Sequence, residues 1–144
     1  MRRARLRDAG SGPVELAILA PVVLSVFALV VIGGRVNLAR QSMDAAAFDA
    51  ARSASLERTA AEARSRGAAT AAATLRAQGL TCRSTSVTVN VGGFSKPVGQ
   101  PATVTATVRC TVELSDVVLP GLPGRIRLSP ATFTSPLDTY RTRQ

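Results

Sequence analysis

The sequence predicts an α+β protein: one long N-terminal helix, transmembrane in its first half and exported in its second, followed by a small antiparallel β-sheet of two to three strands. Three observations carry this. Residues 16–34 form an apolar run without a single charge. Residues 35–79 are rich in strong helix formers, alanine above all. From Cys82 onward the apolar period changes to two, the alternation of a half-buried strand. The expected divisions are a basic leader at 1–10, a membrane helix at 11–34, an exported Ala-rich helical region at 35–79, a small antiparallel β domain at 80–136 and a polar tail at 137–144. A length of 144 residues suits one small domain with an appendage.

The leader "MRRARLRDAG" sets Arg2, Arg3, Arg5 and Arg7 against Asp8. The run behind it, residues 16–34, would span roughly 29 Å as a helix at about 1.5 Å per residue, the thickness of a hydrocarbon core. It has no polar face, unlike a buried helix of a water-soluble domain. It is also longer than the apolar core of a secretory signal, and no A-x-A-like cleavage site follows, so a retained anchor fits better. The arginines before the run outweigh Arg35 and Arg40 after it. That asymmetry puts the N-terminus in the cytoplasm and residues 35–144 outside.

At the front edge of the run stands one carboxylate, Glu15, within "GSGPVELAILAP". Local chemistry offers one account. Gly12 would be an N-cap, Pro13 the first helical residue and Glu15 the third, where it meets free backbone N–H groups and the positive helix end. That explains why an acid is tolerated there. It leaves the basic leader and the Gly–Ser junction without a role.

The stretch "GSGPVELAILAPVVLSVFALVVIGGRVNLARQSMDAAAFDAARSAS" resembles the TadE-like family, pseudopilins of the tight-adherence pilus. The matching features are Gly10, then Val14, Glu15, Leu16 and Ala17, then Pro21, then an Ala-rich helix with an A-R element in "DAAAFDAARSA". The ending "SPLDTYR" is similar to that of actinobacterial members. The resemblance implies a cut between Gly10 and Ser11 by a prepilin-type peptidase on the cytoplasmic side. Ser11 then becomes the first residue and Glu15 the fifth. It further implies that Glu15 pairs in low dielectric with the new Ser11 amine of its own or a neighbouring subunit, an attraction far stronger there than in water. Pro13 between cut and acid, and Ser at the first position, depart from the family pattern.

Beyond Gly33 and Gly34 the helical pattern continues. Arg40–Asp44, Arg58–Glu62 and Glu62–Arg66 fall at i,i+4 spacing. Val36, Ala39, Met43, Ala46 and Ala50 form a thin stripe that packs either on the protein's own small domain or on sister helices. Gly67 is expected to interrupt the helix and Gly79 to end it. In the β region, "TSVTVNV" and "ATVTATVRCTVEL" should pair as a hairpin, with Val87 opposite Ala106 and Val89 opposite Val104. "RIRLSPATFTS" would add a third strand, broken at Pro130. The hairpin brings Cys82 near Cys110, although this register puts residue 83 opposite Cys110. Cys82 then lies just outside the strand, or a bulge intervenes. Outside the cytoplasm a disulfide is permitted, and it would contribute about 3–4 kcal/mol; two buried thiols are the alternative.

The composition excludes more than it specifies. There is no His, hence neither the commonest general base nor the commonest metal ligand. The net charge is +9, but the cations are dispersed arginines (Lys96 is the only lysine) and aromatics are 3%. Without interleaved stacking platforms, nucleic-acid binding is not expected. The exported carboxylates Asp44, Asp49, Glu57, Glu62, Glu113, Asp116 and Asp138 are scattered, and "VGGFSKP" lacks the spacing of a phosphate loop. The expectation is a non-enzyme without cofactor, metal or small-molecule substrate. Its partners would be the membrane, the peptidase, other pilin-like subunits and the assembly machinery. The competing reading is an unprocessed single-pass membrane protein whose exported domain binds a partner, with Glu15 only a helix cap.

Overall fold

A computed structural model describes residues 11–113 and 125–142. The basic leader, Leu114, Asp116 and the "LPGLPG" connection lie outside the described residues. The chain divides into two compact units, Met1–Arg35 and Val36–Gln144, with α1 (Ser11–Leu56) running through the boundary.

In the first unit every described side chain from residue 13 to residue 27 is exposed. Leu16, Leu24, Phe27 and Val30 all face outward, and nothing lies within 4 Å of where a Cβ would stand at Gly33 or Gly34. Pro13–Leu56 contains a segment long and apolar enough to cross a membrane. The expected fold class, a long apolar helix followed by a small antiparallel sheet, is the one found.

The second unit is built on alanine. Ala39, Met43, Ala46, Ala47, Ala50, Ala51 and Ala54 of α1 are buried, a broad stripe at helical spacing. The stripe therefore packs into the unit's own core; of the two packings open from the sequence, this is the one found. Among the described residues, the largest fully buried side chains are Met43, Val104, Val108 and Cys110. Such a core supplies little hydrophobic stabilisation per residue but permits close backbone approach.

The helix breaks after Leu56, and α2 spans Ala60–Ala77. Thr59 caps it: its Oγ1 accepts from the Glu62 N–H at 3.2 Å and donates to Glu62 Oε2 at 2.9 Å. The T-x-x-E spacing at 59–62 is the sequence signal for this start. Two expectations are corrected. Gly67 does not interrupt the helix; it is buried within α2, and a Cβ there would meet Val89 Cγ2 at 3.0 Å, the Ala50 carbonyl at 3.1 Å and Ala54 Cβ at 3.3 Å. Its role is three-way contact between α1, α2 and the sheet. The Arg58–Glu62 and Glu62–Arg66 pairings also give way. Glu62 serves the cap, and Arg66 meets Glu57 across the break at 3.5 Å. At the far end Gly79 has φ 69°, with Gly79 N–H bonding Arg76 O and Leu80 N–H bonding Leu75 O. This is the left-handed glycine stop that was expected.

The sheet comprises β1 (Ser84–Asn90), β2 (Thr103–Glu113), β3 (Arg125–Arg127) and β4 (Ala131–Pro136). β2 is central: β1 pairs along one side, and β3 and β4 share the other, all antiparallel. The third strand is indeed interrupted ahead of Pro130. The hairpin register differs by two residues from the expectation: Val87 opposes Val108 and Val89 opposes Ala106. A shift of two keeps every side chain on its face, so the valine alternation cannot distinguish the registers. The connection decides, through a 3-10 turn at Gly92–Ser95 closed by Phe94 N–H to Val91 O at 2.9 Å. Thr85, not residue 83, thus stands opposite Cys110. Cys82 lies just before β1 and is disulfide-bonded to Cys110, with the Cα atoms 5.5 Å apart.

The two faces of the sheet differ completely. Val104, Ala106, Val108 and Cys110 point into the core. The other face carries Ser84, Ser86, Thr88 and Asn90 on β1, Thr103, Thr105, Thr107, Arg109 and Thr111 on β2, and Thr132 and Thr134 on β4. The polar tail is not simply exposed, as its composition suggested. Leu137 is buried, with its N–H bonded to Ala102 O at 2.8 Å, while Asp138 and Tyr140 face solvent.

Candidate functional site

The residues that the resemblance singles out lie in the first two to three turns of α1. Val14, Glu15, Leu16, Ala17 and Pro21 are all exposed. Ser11 is the first described residue, and Gly10 lies outside the described part. Ser11 and Glu15 stand four apart, on one face of the helix and about 6 Å apart along its axis.

α1 is helical from Ser11, the first described residue, and Gly12 lies within it rather than capping it. Pro21 sits inside the helix, where its ring nitrogen cannot donate to the Ala17 carbonyl. Ser25 Oγ donates to the Pro21 carbonyl at 2.6 Å, in the turn that follows.

Elsewhere the carboxylates are occupied with structure. Asp49 Oδ2 accepts from Thr74 Oγ1 at 2.8 Å, joining α1 to α2. Glu57 pairs with Arg66, Glu62 with the α2 cap, and Asp138 Oδ1 accepts from Tyr140 N–H at 3.0 Å. Asp44 lines an open groove of about 200 Å³ with Arg40, Met43 and residues 129–131. That groove holds one carboxylate and one guanidinium, with no nucleophile–base pair. Among the described residues no group of three His, Cys, Asp or Glu side chains comes together.

Two tail contacts had no distinctive sequence signal. Ser135 Oγ donates to Ser55 Oγ at 3.1 Å, and Arg141 Nη1 donates to Leu56 O at 2.6 Å. The guanidinium thereby satisfies one of the free carbonyls at the C-terminal end of α1. These bonds join residues 80 or more positions apart. Composition alone marks the tail only as polar.

Comparison with known families finds a match to the TadE-like protein family over residues 10–52. The matched stretch contains Gly10, Ser11, Glu15, Pro21 and the apolar run, and it ends inside the Ala-rich part of α1. It is the stretch on which the resemblance was read. No curated protein and no solved structure matches the chain.

Proposed function

We propose that this chain is a pilin-like, non-catalytic minor subunit that acts in assembly of a tight-adherence pilus. It is held in the membrane by residues 11–34, with its N-terminus cytoplasmic and residues 35–144 outside. A prepilin-type peptidase cuts between Gly10 and Ser11. Glu15 then meets the Ser11 amine of its own or a neighbouring subunit and helps to set register among pilin-like partners.

The observation that carries this reading is the coincidence of the TadE-like match with the membrane-length segment and its lone acid. Glu15 stands one helical turn from Ser11, a spacing that suits a partner at the new amine.

The decisive experiment is the intact mass of the mature chain from a host with an active prepilin peptidase. The expected product starts at Ser11; a product starting at Met1 overturns the processing step. Glu15→Ala should insert into the membrane normally but fail to co-purify with pilin-like subunits. Unchanged co-purification would favour an unprocessed membrane protein with a partner-binding exported domain.

A further inference from the structure

The open face of the sheet has a composition that the assembly reading does not use. Its described side chains are hydroxyls and one amide, together with Arg109, Arg127 and Pro136, and at the arginine end Glu113 of β2 pairs in register with Arg125 of β3, so cations outnumber the one acid there. Thr105 Oγ1 and Thr134 Oγ1 are 2.9 Å apart, and Thr107 Oγ1 and Thr132 Oγ1 are 3.1 Å apart. These pairs form rungs across β2 and β4. Sheet geometry repeats such groups at about 4.8 Å across strands and about 7 Å along them. Each paired hydroxyl keeps acceptor capacity for a further bond.

Both arginines stand toward one end of this face. Arg109 is opposite Ser86, and Arg127 is opposite Thr111. That makes them diagonal neighbours, roughly 7–8 Å apart at the backbone. Both are exposed, and neither has a hydrogen bond or ion pair among the described residues.

The chemistry narrows the partner. A protein interface needs an aromatic or aliphatic centre, and this face has none. Membrane docking needs apolar anchors or a dense basic cluster. Single-stranded nucleic acid needs aromatic platforms. A second copy laid face to face would meet hydroxyls with hydroxyls and find no apolar centre. What remains is a hydrated polymer rich in hydroxyls that also carries acid groups. We propose that this face binds an acidic polysaccharide, with the threonine rungs hydrogen-bonding sugar hydroxyls and Arg109 and Arg127 pairing with its acid groups. Guanidinium forks suit carboxylate and phosphate oxygens, and neighbouring hydroxyls suit the uncharged stretches between them.

The test uses the full chain in detergent micelles with polygalacturonate as probe, against dextran, duplex DNA and anionic lipid vesicles. Polygalacturonate should bind about tenfold more tightly than each comparator, as charge-assisted bonds supplemented by hydroxyl contacts would give. The double variant Arg109→Gln, Arg127→Gln should lose about tenfold, whereas the off-face control Arg58→Gln, Arg64→Gln should lose little. Thr105→Val with Thr107→Val keeps the β-branched shape and should weaken binding about threefold with both arginines intact. Thermal melts followed by circular dichroism establish that each variant is folded. The proposal is overturned by absence of polygalacturonate binding, by equal binding of DNA or vesicles, by equal loss in the control variant, or by folded valine variants that bind like the parent.

Discussion

A single helix, α1, contains two regions in opposite circumstances. Between residues 13 and 27 its side chains are large and aliphatic, yet exposed: Leu16 is 72% and Phe27 67% accessible. Between residues 39 and 54 its inward side chains are mostly alanine, and Ala46, Ala47, Ala50, Ala51 and Ala54 are fully buried. Ranking by hydrophobicity alone would reverse the two. Burial here follows the available partner surface. Alanine lets α2 and the sheet approach the α1 backbone, as the Gly67 contact with the Ala50 carbonyl shows. The larger residues are exposed among the described residues, and hydrocarbon of about 30 Å thickness is the environment that suits them.

That contrast can be broken from either side. The largest effect is expected from removing the disulfide. Cys82→Ser with Cys110→Ser should lower the stability of the second unit by about 3–4 kcal/mol in denaturant titrations, with membrane association unchanged. A loss below about 1 kcal/mol would mean that the alanine core needs no covalent support. Leu24→Arg acts on the other region. It should disfavour insertion by about 2.5–3.5 kcal/mol, shifting the chain from the membrane to the soluble fraction. The melting of the second unit should not move, and retained membrane association would place the anchor elsewhere.

Smaller changes sharpen the same comparison. Gly67→Ala crowds the Ala50 carbonyl and Val89, so overpacking of about 1–3 kcal/mol should outweigh the roughly 1 kcal/mol gained in helix propensity. Gly33→Ala meets open space and should leave melting of the second unit unchanged. A Gly67→Ala protein as stable as its parent would show a looser three-way junction. The smallest loss is expected from Thr59→Ala, which removes the α2 cap at a cost of about 1 kcal/mol, measurable as a shifted denaturation midpoint.

Much of this molecule was legible because its strongest signals are local. The uncharged run, the period-two valines and the glycine after Gln78 act through neighbouring residues, and each led to the element found. The start of α2 was also written locally, in Thr59 and Glu62, although Gly67 is the more conspicuous helix breaker. Gly67 misleads because its reason is tertiary: it makes room for atoms of α1 and β1 rather than for a turn. The hairpin register was ambiguous by two residues because both choices bury the same valines. On the candidate site, the order Gly10, Glu15, Pro21 could be read directly, whereas the run of α1 unbroken through Pro21 could not.

The sequence by itself determined the fold class, the membrane-length segment, the strand faces and the closeness of Cys82 to Cys110, since periodicity and charge are properties of contiguous residues. Only the tertiary structure decided that the alanine stripe packs inward, that Gly67 is a contact point, and that Ser135 and Arg141 fasten the tail to the end of α1. Those outcomes depend on which surfaces meet across as many as 85 residues of chain. Short-range patterns carry no record of such meetings, because many alternative packings bury the same small side chains equally well.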